Sequence, residues 1–236
     1  MLDGRTRETV ERYLQELPEP YRRSIEIVSI DPYDAYRQAI RAQLPNARIV
    51  VDHFHLVRGA NTALDAVRRE RQRERRTHRP KGTRRSGQHL SWRQDLFHSR
   101  HRLLRAREKL TARQRRQLCE LFEHEPLLAE AWGLKEAFRS IYRSPRRHEA
   151  ERRLDAFLAA VDRAQIPSFT AFAEGVRQWR EELLAYFEQP TTNGYAEGVI
   201  NKVKVIKRRL RTTHLRWLPR ARPHSMRLTG QRGAPR

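Results

Sequence analysis

Three acidic residues stand where their neighbours could turn them to phosphate chemistry. Asp31 follows the run SIEIVSI (residues 24–30), and Asp52 follows RIVV (residues 48–51). Both runs have the Ile/Val content and the length of buried strands. In an open parallel sheet ligands gather at the carboxyl ends of the strands, and carboxylates placed there can hold a divalent cation such as Mg²⁺. Each residue also has a plainer role. Asp31, Pro32 and Asp34 have the pattern of a helix start, and Asp52 can cap a helix that begins near Phe54. His53 and His55 accompany Asp52 at alternate positions. A single His-x-His is weak evidence for metal, and a packed or hydrogen-bonded histidine is the commoner case.

The third acid is Glu197. Thr191-Thr192-Asn193-Gly194 reads as a turn, with Asn193 as the N-cap of a helix over Tyr195–Leu210. Val199, Val203, Ile206 and Leu210 form its apolar stripe. Glu197, Asn201, Lys204 and Arg208 form a second stripe, at i, i+4, i+7 and i+11. An acid in the first turn with cations below it suits a site that holds metal at one end and phosphates along its flank. It also suits simple dipole complementarity, which stabilises a helix by ~0.3–1 kcal/mol.

The elements that must position these residues are legible from periodicity. Val10, Tyr13, Leu14 and Leu17 share one face of a helix over Thr6–Leu17, ended by Pro18 and Pro20. Tyr36, Ala39, Ile40 and Leu44 mark a helix over Tyr33–Leu44 between the two strands. Strand, helix, strand at this spacing is a βαβ unit with parallel strands and a right-handed crossover. Two strands are not independently stable as a rule, so this pair is expected to need neighbours. From Leu56 onward the pattern is helical. An apolar stripe of Leu56, Ala60, Ala63, Leu64 and Val67 gives way to a charge run, Arg68–Arg85, expected as a basic loop or a frayed helix end. Helices are then expected over Leu103–Phe122, Leu127–Tyr142, Glu149–Ala164 and Phe169–Phe187, punctuated by Pro126, Pro145 and Pro167.

The chain has 236 residues, of which 38% are hydrophobic, enough to build a core and to argue against wholesale disorder. Fifty Lys+Arg against 28 Asp+Glu leave a net charge of +22. Such an excess repels itself unless a polyanion offsets it, which points first to nucleic acid. The single cysteine, Cys119, excludes an intramolecular disulfide and a Cys-based zinc site, and fits a cytoplasmic chain. No segment approaches the roughly 18 consecutive apolar residues of a membrane helix. No helix sets Trp and Phe opposite Lys and Arg as a membrane-surface protein would require, so no membrane partner is expected.

Taken together, three stretches resemble the ISL3-type DDE transposases of bacterial insertion sequences: SIEIVSIDPYDAYRQAIRAQLPNARIVVDHFHLVRGANTALDAVRRE, WGLKEAFRSIYRSP and TTNGYAEGVINKVKVIKRR. The resemblance runs from about residue 4 to residue 211. It implies an α/β, RNase H-like fold, here incomplete and mostly α-helical overall. Residues 1–55 would be the partial βαβ segment, 56–190 a helical insertion with the basic run at 68–87, and 191–211 the catalytic-Glu helix. It implies Mg²⁺ or Mn²⁺ held by Asp31 and Glu197 as catalytic acids, with Asp52, His55 and Asn201 near the site. It implies DNA as substrate, cleaved and rejoined at phosphodiesters, with Lys202, Lys204, Lys207, Arg208 and Arg209 on phosphates. A nucleoid-associated location follows, as does pairing with a second copy or with an intact transposase.

Two departures shape the expectation. No residue before Ser24 matches the family's first catalytic Asp, so the chain is expected to be the C-terminal part of such an enzyme and inactive alone. Residues 212–236 (TTHLRWLPRARPHSMRLTGQRGAPR) lack helical period and read as a disordered or frameshifted basic tail. The alternative function is a non-enzymatic DNA binder that competes with or regulates an intact transposase. Both readings predict salt-sensitive DNA binding. With ~6–10 phosphate contacts, affinity for a duplex should fall roughly 10³–10⁵-fold between about 50 and 200 mM salt. Fluorescence anisotropy of labelled DNA measures this, and an affinity flat across that range contradicts both.

Overall fold

The computed structural model describes residues 6–77 and 96–188, all within one compact unit. Helix α1 (Arg7–Glu16) starts at Thr6, whose side chain accepts a hydrogen bond from the Thr9 backbone N–H. It lays the buried Leu14 toward α3 (Asp34–Gln43), whose Ala39 and Ile40 are also buried. Between them in sequence, strand β1 (Ile27–Ile30) pairs in parallel with β2 (Arg48–Val51), with Ile30 opposite Val51. Val50 and Val51 are wholly buried, as expected for a strand covered on both faces. Among the described residues the sheet has these two strands and no third.

Helix α1 ends just before Pro18, as expected, but the segment after it is not loop. A short helix α2 (Glu19–Ser24) lies directly after α1, because proline is tolerated in a first helical turn. Ser24 therefore belongs to a helix, its hydroxyl donating to the Tyr21 carbonyl at 2.7 Å, and β1 begins three residues later than its apolar run suggests.

The rest is helical. Helix α4 (His53–Thr77) carries the apolar stripe read from the sequence and continues through the first half of the basic run, where a loop or frayed end was expected. It also runs without a break across residues 55 and 56. The expected helix over Leu103–Phe122 is interrupted. Helix α5 (Arg100–Leu104) gives way to a 3₁₀ turn (Arg107–Lys109), and α6 (Ala112–His124) restarts after it. Two features enforce the break. Thr111 and Gln114 form a reciprocal capping box that starts α6. The fully buried Lys135 ammonium donates to the carbonyls of Leu103 at 2.9 Å and Arg105 at 3.0 Å, which end the preceding helix. Burial pushes the Lys135 pKa down, while the adjacent Glu136 carboxylate pushes it back up.

Helices α7 (Pro126–Ile141), α8 (Arg147–Ala164), α9 (Pro167–Gln178) and α10 (Arg180–Ala185) complete the body. The last two were expected as one helix. They part at Trp179, whose ring is buried and whose backbone leaves helical geometry at φ −108°. Phe138 anchors the centre, edge-on to Phe157 at 5.2 Å and to Phe172 at 4.9 Å between ring centroids.

Helices α4 and α9 meet at Gly59. A Cβ at that position would sit 2.7 Å from the Phe172 ring, closer than side-chain carbons approach one another. The ring is held by three other phenylalanines and has little room to retreat. Gly59→Ala is therefore expected to cost about 1–3 kcal/mol by overpacking, read by urea denaturation. A variant as stable as the parent would show that this contact is not tight.

Candidate metal centre at the strand ends

Parallel pairing brings Asp31 and Asp52 to one edge. Each directly follows its strand, and the Asp52 backbone N–H donates to the Ile30 carbonyl at 2.8 Å, extending the ladder by one bond. The two side chains differ in environment. The Asp31 side chain is 49% exposed, whereas that of Asp52 is 1% exposed.

Asp52 is tied on both oxygens. Its Oδ1 accepts from the Phe54 backbone N–H at 3.2 Å, an N-cap interaction at the start of α4. Its Oδ2 lies 3.0 Å from His55 Nδ1. The same nitrogen is 3.2 Å from Asp31 Oδ1. With a carboxylate oxygen on each side, Nδ1 is placed either to donate its proton to them or, deprotonated, to share a cation with them. The capping role read for Asp52 thus holds alongside its place in the site. Asp31 does not cap α3: the N-cap position belongs to Tyr33, with no side-chain capping bond. The acid of that first turn is Asp34, which is paired with Arg37 and Gln38.

His53 is a packing residue, as the commoner reading of the His-x-His pair suggests. Its ring lies 4.1 Å from Phe54, 5.2 Å from Tyr142 and 5.0 Å from Tyr186. Burial lowers its pKa, partly opposed by Asp52. Tyr142, buried behind it, has its phenol pKa pushed well up by burial. Nothing in the spacing of Tyr142 and Tyr186 announces this aromatic wall, because the helices that bring them here are distant in sequence.

Asp31, Asp52 and His55 each offer one ligand atom, and these atoms lie within 4.8 Å of one another. Two carboxylates and one imidazole are a donor set that suits Mg²⁺ or Mn²⁺, with the nitrogen better matched to Mn²⁺. His55 was expected near the site. Its place between the two acids follows from standing three residues after Asp52, one helical turn along. Glu197, Asn201, Lys202, Lys204, Lys207, Arg208 and Arg209 lie outside the described residues.

Residues 1–212 match the DDE transposase family of ISL3 type, whose description is transposase. The chain belongs to the ISL3-type DDE transposases. It is 29% identical over 207 residues to the transposase of insertion sequence element IS1001 from Bordetella parapertussis, covering 87% of this chain and 48% of the relative. It is 28% identical over 191 residues to the transposase of IS1557 from Mycobacterium tuberculosis, covering 77% of this chain and 43% of that protein. The chain thus spans about half the length of these curated relatives. No solved structure matches it. Among the described residues, no helix is long and apolar enough to cross a membrane.

The two bonds to Asp52 can be separated by substitution. Asp52→Ala loses the cap and should lower stability by about 0.5–2 kcal/mol. Asp52→Asn keeps an acceptor for the Phe54 N–H and should lose less. Thermal unfolding followed by circular dichroism tests the order, and equal losses would contradict it.

Proposed function

We propose that this chain supplies the metal-binding half of a transposition active site, in which DNA phosphodiesters are cleaved and strands transferred. The observation that carries the reading is the convergence of Asp31, Asp52 and His55 at the carboxyl ends of two parallel strands, in a chain of the ISL3-type transposase family. The βαβ unit is read as one edge of an RNase H-like sheet. Residues 1–55 belong to that sheet, 56–190 to a helical insertion and 191–211 to the helix bearing Glu197.

In this reading Asp31 and Glu197 hold the divalent cation, Asp31 because its carboxylate opens to solvent at the strand end. Asp52 is too enclosed to reach a substrate, and acts as a positioning residue. Its two oxygens fix the start of α4 and the orientation of His55, and His55 in turn steadies Asp31. Divalent metal held by Asp31 and Glu197, Mg²⁺ or Mn²⁺, would supply Lewis acidity for an in-line displacement at phosphorus, activating the attacking oxygen and neutralising the leaving one. Lys202, Lys204, Lys207, Arg208 and Arg209 anchor phosphates, which sets register without reading sequence.

A plain DNA binder needs no metal, so metal binding separates the two readings. Isothermal titration of the full chain with Mn²⁺ should show binding that Asp31→Asn and Glu197→Gln each weaken at least tenfold. Asp52→Asn should weaken it less. Mn²⁺ affinity that is absent, or indifferent to Asp31→Asn, removes the catalytic reading.

A further inference from the structure

The helical body carries a second charged feature, far along α4 from the strand ends. Arg68, Arg69, Gln72, Arg73, Arg100 and Phe97 line a shallow cleft of about 390 Å³. At 100° per residue, Arg68, Arg69, Gln72 and Arg73 share one side of α4, while Glu70 and Glu74 turn to the other. Among the described residues one carboxylate, Asp65, serves this face. Its Oδ1 lies 2.8 Å from Arg68 and 3.5 Å from Arg100, and its Oδ2 lies 2.9 Å from Arg69. Among the described residues, four guanidiniums against one carboxylate leave a local surplus of three positive charges.

These arginines do not have equal roles. Arg68 is buried and structural: it donates to Asp65, to Gln72 at 3.1 Å and to the Leu96 carbonyl at 3.4 Å. Leu96 is itself fully buried, and its carbonyl also accepts from the buried Ser99 hydroxyl at 2.9 Å. Fixing Leu96 inward presents the next residue outward. Phe97 is 63% exposed, the most exposed of the large hydrophobic side chains among the described residues. Around it, the Arg69 and Arg100 side chains are 60% and 48% exposed, and Arg73 is exposed with no ion pair among the described residues. An aromatic face held in water by a buried anchor and ringed with exposed guanidiniums has the chemistry of a single-strand nucleic-acid contact. Bases stack on the ring and phosphates meet the cations. The solvated-face reading accounts for the arginines but not for a phenylalanine pinned among them.

We propose that this cleft binds unpaired DNA, taking one extruded or overhanging base on Phe97 and its flanking phosphates on Arg69, Arg73 and Arg100. The inference rests on the reading that the chain acts on DNA, and adds that part of that DNA is unpaired where it meets the helical body.

The test compares the full chain on two labelled DNAs, a blunt duplex and the same duplex with a short single-stranded overhang carrying 2-aminopurine. The parent chain should bind the overhang DNA more tightly and alter the 2-aminopurine emission. Phe97→Ala should lower affinity for the overhang DNA by roughly 5- to 150-fold and leave blunt-duplex affinity within about twofold. Arg73→Ala should weaken both and reduce the salt slope by about 1. Phe97 is exposed, so its loss should not unfold the chain, and an unchanged melting curve checks this. If the parent binds neither DNA, the transposition reading fails and the cleft loses its ligand. If the parent binds DNA but Phe97→Ala leaves overhang binding unchanged or weakens both DNAs equally, this proposal alone is overturned.

Discussion

The parallel register of β1 and β2 is the constraint on which the candidate site depends. Because Ile30 lies opposite Val51, the residues that follow them leave the sheet at the same edge. The Asp52 N–H to Ile30 carbonyl bond holds that relation one residue past the strands. A shift of one residue would break the Asp52 N–H to Ile30 carbonyl bond and carry Asp52 out of line with Asp31. The apolar content of two short strands and the placement of two carboxylates are thus one fact seen from two sides.

What lies behind the strands is built to keep that edge still. Asp52 begins α4 and caps it, so the site and the longest helix share an origin. Helix α4 is then clamped by close contact with α9 at Gly59 and by packing against α7. Helix α7 carries Lys135, whose buried ammonium gathers two carbonyls and the Glu136 carboxylate. The Leu-Lys-Glu-Ala stretch that helps to mark the family is, in physical terms, a buried cation closing a turn. Removing one partner of such a group strands the others, which is why a charge is tolerated at the centre of an apolar body.

Much of this was legible in the sequence, and the failures have physical causes. The βαβ unit, the strand ends at Asp31 and Asp52 and the apolar stripe of α4 followed from period and composition. Helix α2 was missed because two prolines read as a stop, although proline is harmless in a first turn. The break before α6 was missed because periodicity runs smoothly from Leu103 to Phe122. The interruption comes from a capping box at Thr111 and from Lys135, some 30 residues away in sequence. Arg68–Thr77 was read as a basic loop or a frayed helix end because a dense charge run resembles a solvated segment, and it is continuous helix. Its Arg68 is in fact buried against Asp65 and the Leu96 carbonyl. At the site, the pairing of His55 with two acids depends on the strands being in register, which no local pattern encodes.

The most direct test of the central claim is crystallographic. Crystals of the full chain grown with Mn²⁺ should give an anomalous-scattering peak at the strand ends, bonded to carboxylate oxygens of Asp31 and Glu197. A peak that avoids Asp31, or a density map placing Glu197 on a different face of the molecule from β1 and β2, would contradict the account.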